Sequence, residues 1–212
     1  MTKVIIFDFD GTLADTIDIL LSITNRLSEE FGFKSATKEE VAQLSNLTSW
    51  QILRYSGISI FKVPLLIRKL KAELRSEIPH IQLFPGIKEV LLELKSLGFQ
   101  LGIITSNSRE NVLALLEING LQDSFTFIYS GSTFGKNKVI DRWLKREHIN
   151  PEEVIYVGDE IRDIDAAKKT GIKIIAVGWG FNSQEALAVH NPDFLIERPQ
   201  ELIEIMSNLR QV

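Results

Sequence analysis

The segment that decides the fold is residues 4–12, Val-Ile-Ile-Phe-Asp-Phe-Asp-Gly-Thr. Its first part, Val4–Phe7, is a run of β-branched and aromatic residues, which predicts a buried strand. The strand ends at Asp8, and Asp10 follows after a single intervening phenylalanine. In open α/β sheets, ligands bind beyond the carboxyl ends of the strands. The segment therefore predicts a buried strand that presents two carboxylates at the ligand-binding edge of its sheet.

Two later segments repeat this design. Leu101–Thr105 runs directly into Ser106-Asn107, and Val154–Val157 runs directly into Gly158-Asp159. Two further strands are predicted, at Phe125–Tyr129 and Lys173–Val177. Helical patterns lie between the strands, at Ile87–Leu97, Asn111–Ile118 and Asp163–Lys169. Strands that alternate with helices predict an α/β fold with a doubly wound, mostly parallel sheet.

The stretch from Thr16 to His80 has a different character. It contains helical patterns but no convincing strand, and these patterns are Ile17–Phe31, Lys38–Leu44 and Val63–Ile78. We interpret residues 16–81 as a helical cap inserted into an α/β core made of residues 1–15 and 82–212. In the alternative arrangement, these helices pack directly on the sheet. Trp50 and Phe61 are expected in the interior of the cap more than in a substrate pocket, because aromatic residues on amphipathic helices usually face a core.

Four aspartates follow two strands whose ends could be neighbours, and they are Asp8, Asp10, Asp159 and Asp163. Any one of them alone could simply end a strand or cap a helix. Together in a partly buried site, their charges would repel each other strongly. A hard divalent cation would offset this repulsion, and Mg²⁺ suits one or two carboxylates together with phosphate oxygen and water. The sequence therefore predicts a Mg²⁺ site at the ends of these two strands.

The composition narrows the class of protein. The chain has 212 residues, 44% of them hydrophobic and 25% charged, which is usual for a globular domain. The net charge of −4 and the scattered basic residues do not indicate a nucleic-acid-binding surface. The absence of cysteine excludes disulfides and thiolate metal sites. The apolar runs are too short for a secretory signal or a membrane span, so we expect a cytoplasmic protein with no membrane partner. The oligomeric state is not indicated.

Four segments resemble the four ordered motifs of the haloacid dehalogenase superfamily. They are Asp8-Phe9-Asp10-Gly11-Thr12, Thr105-Ser106-Asn107, Gly135-Lys136-Asn137-Lys138 and Gly158-Asp159-Glu160-Ile161-Arg162-Asp163. The run Asp8–Thr16 and the later Val177–Phe181 most resemble the phosphoglycolate phosphatase-like branch of that superfamily. The resemblance covers the core, about two thirds of the chain. In this family a helical cap is inserted just after the first motif, which matches the position of residues 16–81.

The resemblance implies a role for each aspartate. Asp8 would attack phosphorus as the nucleophile and would be a metal ligand. Asp10 would protonate the leaving oxygen, then take a proton from the hydrolytic water, and would offer its main-chain carbonyl to the metal. Asp159 would be the second direct carboxylate ligand. Asp163 would bind the metal through a water or orient the ligand shell.

The resemblance also assigns the groups that hold the phosphoryl oxygens. Thr105 would hydrogen-bond to one of them, and the adjoining Ser106-Asn107 would complete the binding loop with backbone N–H groups. Thr12 would hold Asp10 in place, although a role in the turn is equally compatible with its position.

The catalytic lysine has two candidates. Its role would be to neutralise charge on Asp8 and on the transferring phosphoryl group. The sequence lacks the Lys-Pro-x-Pro motif that is common in the family, and it has Lys136 and Lys138 instead. We favour Lys136, which follows Gly135.

These observations predict a Mg²⁺-dependent phosphatase that acts on a small phosphorylated metabolite through an aspartyl-phosphate. By resemblance alone, 2-phosphoglycolate is the leading substrate. A sugar-phosphate mutase on the same scaffold is the nearest alternative. A non-catalytic phospho-ligand-binding protein is a second one, although the presence of both Asp8 and Asp10 argues against it. A metal-free dehalogenase is disfavoured, because such enzymes of this superfamily lack the aspartate found here at Asp10.

Overall fold

A six-stranded parallel sheet forms the centre of the molecule, in a computed structural model that describes residues 2–130 and 135–211. The strands are β1 (Val4–Phe7), β2 (Ala14–Asp15), β3 (Gln82–Leu83), β4 (Gln100–Thr105), β5 (Phe127–Ser130), β6 (Val154–Gly158), β7 (Lys173–Val177) and β8 (Phe194–Ile196). The order in the main sheet is β5-β4-β1-β6-β7-β8. The first strand is therefore central, and the sheet order reverses beside it.

Ten helices surround the strands within the described ranges. They are α1 (Ile17–Phe31), α2 (Lys38–Leu44), α3 (Ser49–Ser56), α4 (Val63–Glu77), α5 (Ile87–Ser96), α6 (Arg109–Ile118), α7 (Lys136–Glu147), α8 (Ile161–Thr170), α9 (Gln184–Val189) and α10 (Glu201–Gln211). Short 3₁₀ turns lie at Ile60–Lys62, Ile78–His80 and Pro151–Glu153. None of the described helices is both long and apolar enough to cross a membrane.

The central strand is buried on both faces. Ile5 and Phe7 pack into one hydrophobic cluster, whereas Val4 and Ile6 pack into a second one. This alternation follows from the two-residue period of a strand, which sends neighbouring side chains to opposite sides of the sheet. Phe7 pairs with Ile103 on one side and Val157 on the other, so the segments after β1, β4 and β6 leave the same edge. The predicted doubly wound α/β fold is confirmed.

A small antiparallel ribbon joins the two ends of the segment that contains the helices of residues 16–81. In it, Ala14 pairs with Leu83 and Asp15 pairs with Gln82, so the chain leaves and rejoins the core at one place. Residues of these helices nevertheless share one buried cluster with the core, as Leu27, Leu74 and Leu115 do. The ends of the ribbon coincide with the predicted boundaries at residues 15 and 82. The division into two domains stays a prediction.

Most predicted elements appear with similar bounds, and the differences are local. The strand predicted from Phe125 begins at Phe127. The predicted set lacks α3, α7, α9 and α10, although Thr48 and Gln51 form a capping box at the start of α3. The expectation that Phe61 lies in a helical interior is wrong. Phe61 is 91% exposed, because it lies in a 3₁₀ turn and not on an amphipathic helix. Trp50 is 52% exposed.

Candidate active site

Three buried carboxylates meet at the carboxyl ends of β1 and β6. Asp8, Asp159 and Asp163 each offer an oxygen, and these oxygens all lie within 4.8 Å of one another. Asp8 directly follows β1, and its backbone N–H donates to the carbonyl of Val157 at 2.9 Å. Asp159 directly follows β6, and Asp163 lies in the first turn of α8. The parallel pairing of β1 with β6 thus brings together residues that are about 150 positions apart in the chain.

A buried lysine compensates part of this negative charge. The ammonium group of Lys136 contacts Asp8 Oδ2, and it lies 2.5 Å from Asp163 Oδ1. It also lies 5.5 Å from the centre of the Tyr156 ring. Burial lowers the pKa of Lys136, but the carboxylates of Asp163 and Asp8 more than offset this and raise it well above its ordinary value. Lys136 is therefore a fixed cation beside Asp8, whereas Lys138 is exposed on α7.

Both oxygens of Asp159 have protein partners. Its Oδ1 accepts from the Thr12 hydroxyl at 2.7 Å, and its Oδ2 accepts from the backbone N–H of Phe181 at 2.8 Å. Burial raises its pKa well above the ordinary value, and the charges of Glu160, Asp8 and Asp163 raise it further. The expectation that Thr12 holds Asp10 is wrong, because the Gly11 turn directs its hydroxyl toward the strand end of β6.

Asp163 has two contacts that fix its orientation. Its Oδ2 accepts from the backbone N–H of Glu160 at 3.2 Å and so caps α8, while its Oδ1 faces Lys136. Burial raises its pKa to about 6, and the nearby Lys136 acts in the opposite direction. Both of its oxygens therefore have protein partners, which hold the side chain in one orientation.

Asp10 lies outside this carboxylate cluster. Its Oδ1 accepts from the side-chain amide of Asn107 at 3.0 Å. Burial raises the pKa of Asp10 to about 7, and the charge of Asp8 contributes in the same direction. A carboxyl group with a pKa near neutrality can donate and accept a proton at the pH of most cells. Asp10 thus has an amide as its polar partner, whereas Asp8 has the ammonium of Lys136.

The loop between β4 and α6 supplies the third wall of the site. Thr105 is buried at the end of β4, and its hydroxyl oxygen accepts from the backbone N–H of Asn107 at 3.0 Å. The hydroxyl proton of Thr105 is then available to another acceptor. Ser106 is half-buried and faces the open space above the loop. The predicted residues of this loop therefore lie beside Asp10.

A cavity of about 390 Å³ opens from Asp10 toward the helices of residues 16–81. Asp10, Ser106 and Asn107 form its floor. Most of the opposite wall is apolar, and its residues include Leu20, Leu21, Val41, Ile52, Ile67 and Leu70. The cavity can hold an organic group whose reacting end lies at the loops of the core.

Three further residues at this site were not found from the sequence. Lys71 lines the cavity from α4, and Arg162 lines it from α8, where it forms an ion pair with Glu160. Asn182 is buried and joins the start of α8 to the segment after α2. Its Oδ1 accepts from the N–H of Ile161, and its Nδ2 donates to the carbonyl of Ser45 at 2.7 Å. The one available signal was for Lys71, which replaces an apolar residue on the apolar face of α4.

The carboxylate cluster fits a hard divalent cation. Its donors are oxygens only, which excludes a preference for soft metals. The raised pKa of Asp159 is caused by burial and by neighbouring negative charge, and a bound cation would relieve both effects. Asp8 and Asp159 would bind the ion directly, and Asp163 would orient the shell around it. Mg²⁺ suits a site with so few carboxylates, because it retains several waters.

Comparisons with known proteins agree with this geometry. A family model described as haloacid dehalogenase-like hydrolase matches residues 5–177. A phosphoglycolate phosphatase of Synechococcus elongatus is 36% identical over 208 residues, which cover 98% of each chain. A pyrophosphatase of Bacillus velezensis is 27% identical over 95% of this chain and 94% of its own. A haloacid dehalogenase-like hydrolase structure from Streptococcus pneumoniae superposes with a TM-score of 0.80 at 26% identity, over 97% of this chain and 98% of that chain.

Proposed function

The chain belongs to the haloacid dehalogenase-like hydrolase family, and on that premise we propose that it is a Mg²⁺-dependent phosphatase that forms an aspartyl-phosphate. Its substrate is a small phosphate monoester, with 2-phosphoglycolate as the first candidate because the Synechococcus relative carries that name. The observation that carries the proposal is the contrast between two aspartates. Lys136 lies against Asp8, whereas burial raises the pKa of Asp10 to about 7.

Asp8 is the nucleophile in this proposal. The ammonium of Lys136 contacts its Oδ2 and also balances charge on the phosphoryl group. Its Oδ1 accepts from the N–H of Phe9 at 2.7 Å, which holds the side chain in one orientation. Because its backbone is fixed at the end of a buried central strand, the attacking oxygen is positioned before the substrate binds. The attack forms a bond between the carboxylate oxygen and phosphorus, and the bond to the ester oxygen breaks.

Asp10 is the acid and then the base. In its protonated form it gives a proton to the ester oxygen as the alcohol leaves. It then takes a proton from the water that hydrolyses the aspartyl-phosphate, which returns both aspartates to their starting states. Asn107 holds Asp10 at the edge of the cavity, where the leaving alcohol would lie.

The remaining site residues act on charge and position. Thr105 donates its hydroxyl proton to a phosphoryl oxygen, and the Ser106-Asn107 loop closes around that group. When bound by Asp8, Asp159 and the main-chain carbonyl of Asp10, Mg²⁺ would offset the charge on the phosphoryl oxygens. Asp163 holds Lys136 in place and orients the ligand shell.

The decisive experiment is a turnover assay with a panel of phosphate esters, with and without Mg²⁺. The panel contains 2-phosphoglycolate, an aryl phosphate, a hexose monophosphate and pyrophosphate, and phosphorylation of Asp8 is followed by rapid acid quench. We expect Mg²⁺-dependent hydrolysis and a phosphoenzyme that the Asp8→Asn variant does not form. Full turnover in excess EDTA would contradict the metal requirement, and preferred hydrolysis of pyrophosphate would move the substrate toward that of the Bacillus relative.

Two alternatives would give different results in the same assay. A mutase would convert one hexose phosphate isomer into another without releasing inorganic phosphate. A phospho-ligand-binding protein would bind esters without any turnover. Mg²⁺ should also raise the melting temperature, because binding to the folded state relieves the repulsion among the buried carboxylates.

A further inference from the structure

Lys71 occupies an unusual place for a lysine. It lies on α4 beside Leu70, between Ile67 and Leu74, on the face that the helix turns toward the cavity. Residues at spacings of three and four share one face of a helix, so Lys71 interrupts an otherwise apolar stripe. The side chain is half-buried, whereas a lysine on a free helix face is normally solvated.

The position of Lys71 is fixed relative to the reacting groups. Its carbonyl oxygen accepts from the side-chain amide of Asn111 at 3.1 Å. That amide also donates to Asn107 Oδ1 at 3.0 Å, and Asn107 in turn donates to Asp10. A short chain of hydrogen bonds therefore links the turn of α4 that carries Lys71 to the acid–base group.

The charge of Lys71 is uncompensated, unlike that of the other basic groups around the cavity. Lys34 pairs with Glu40, and Arg162 pairs with Glu160. Within residues 2–130 and 135–211, the ammonium of Lys71 forms no ion pair. Burial lowers its pKa, while the charge of Asp10 acts in the opposite direction. A partly desolvated cation in an apolar wall is costly unless an anion joins it.

The position of Lys71 indicates which part of a substrate would meet it. Asp10 protonates the ester oxygen in the proposed reaction, so the space beyond Asp10 receives the alcohol and not the phosphoryl group. Lys71 lines that space, whereas Lys136 lies on the phosphoryl side with Asp8. The half-buried Lys71 and the buried Lys136 therefore face opposite ends of a bound ester.

We propose that Lys71 determines specificity by binding a carboxylate on the alcohol part of the substrate. This inference rests on the proposed phosphatase function and sharpens it. The substrate class is then the phosphate monoesters of short hydroxy acids, and neutral esters of the same size are disfavoured. An apolar wall strengthens the attraction between the ammonium and the carboxylate, because the effective dielectric constant there is lower than in water.

The test compares two substrates that differ only in charge, 2-phosphoglycolate and its amide. Lys71→Met removes the ammonium and keeps most of the side-chain length. We expect kcat/KM for 2-phosphoglycolate to fall by roughly 10-fold to 100-fold, as for other lost hydrogen bonds to a charged group. The value for the amide should change by less than about threefold. Lys69→Met is the matched control, because Lys69 lies on the same helix and pairs with exposed Glu30; both substrates should be unaffected.

Charge reversal gives an independent readout. Lys71→Glu should shift the preference toward phosphoethanolamine, whose alcohol part is cationic. Equal losses on 2-phosphoglycolate and its amide would overturn the inference, because Lys71 would then act through Asp10 or through folding. No loss on 2-phosphoglycolate would overturn it as well and leave the phosphatase proposal intact. If the wild-type protein hydrolyses an aryl or hexose phosphate with Mg²⁺ but neither of these two esters, the inference falls and the phosphatase proposal stands.

Discussion

The two sides of the cavity differ in how their polar groups are held. On the core side, each carboxylate of the cluster has protein partners, as the contacts of Asp8 with Phe9 and Lys136 show. On the side of residues 16–81, the wall is mostly apolar and Lys71 has no counter-ion among the described residues. A fully paired cluster costs little reorganisation during a reaction, which suits chemistry. An unpaired charge in an apolar wall suits recognition, because its partner arrives with the substrate.

The comparison predicts that the largest losses come from the core side. Asp8→Asn should abolish phosphoenzyme formation and lower turnover by roughly 10⁴-fold or more, because no other group can attack phosphorus. Rapid-quench trapping with a radiolabelled ester measures this directly. Asp123→Asn is the control, since Asp123 is exposed on the core and away from the site. If the Asp8→Asn variant turned over at a rate close to that of the wild type, covalent catalysis by Asp8 would be excluded.

Asp10 should give the next largest effect, and the effect depends on pH. As pH rises above about 7, Asp10 loses its proton, so kcat/KM for alkyl phosphates should decline toward alkaline pH. Asp10→Asn should remove this limb and cost roughly 10²-fold to 10⁴-fold. With an aryl phosphate, whose leaving group needs no proton, phosphorylation should partly survive and hydrolysis of the intermediate should stall. If Asp10→Asn accumulates no phosphoenzyme even then, the separation of roles between the two aspartates is wrong.

Substitution of the two lysines of α7 tests whether only the lysine that contacts Asp8 takes part in the reaction. Lys136→Met should cost roughly 10²-fold or more in kcat, because a positioned charge at the phosphoryl group is lost. It should also destabilise the fold, since Asp8 and Asp163 remain buried without their cation. Exposed Lys138→Met should change neither quantity. Turnover and the melting temperature are measured in excess Mg²⁺, and equal, small effects of both substitutions would remove Lys136 from the mechanism.

The sequence was informative where one residue type is needed at a strand end. Val4–Phe7 and Asp8 could be predicted because apolar runs and following carboxylates are local signals. The spacing of the motifs also placed Asp159 near Asp8, which the pairing of β1 with β6 explains. The ends of parallel strands lie at one edge of the sheet, so the carboxylates that follow these strands could be predicted to lie close together.

The rest depends on contacts between distant segments that carry no local signal. Thr12 was expected beside Asp10, two positions away, but its hydroxyl donates to Asp159, which is 147 positions away. Lys71 becomes notable only once α4 is known to face the cavity. Asn182 lies in a loop whose sequence is ordinary. Its role follows from its hydrogen bonds to the carbonyls of Ser45 and Leu47. Propensity and spacing cannot reveal such partners.

The smallest expected effect comes from Asn182, which tests how firmly residues 16–81 are held against the rest of the chain. Its side-chain amide accepts from the N–H of Ile161 at the start of α8 and donates to the carbonyls of Ser45 and Leu47, which lie between α2 and α3. Asn182→Ala removes all three bonds. Each contributes about 1 kcal/mol net, so residues 45–48 should open more often and exchange their amide hydrogens faster.

Because residues 16–81 line one wall of the cavity, this opening should weaken substrate binding more than chemistry. We expect KM to rise by roughly fivefold with kcat within about twofold, and the melting temperature to fall by about 2–4 °C for each kcal/mol lost. Asn208→Ala, on the exposed face of α10, is the control for the substitution itself. A fall in kcat with unchanged KM would place Asn182 with the core chemistry, since its bond to Ile161 also supports the start of α8. Unchanged exchange at residues 45–48 would mean that Ser183, whose N–H donates to Ser45 at 3.0 Å, holds the two regions together without it.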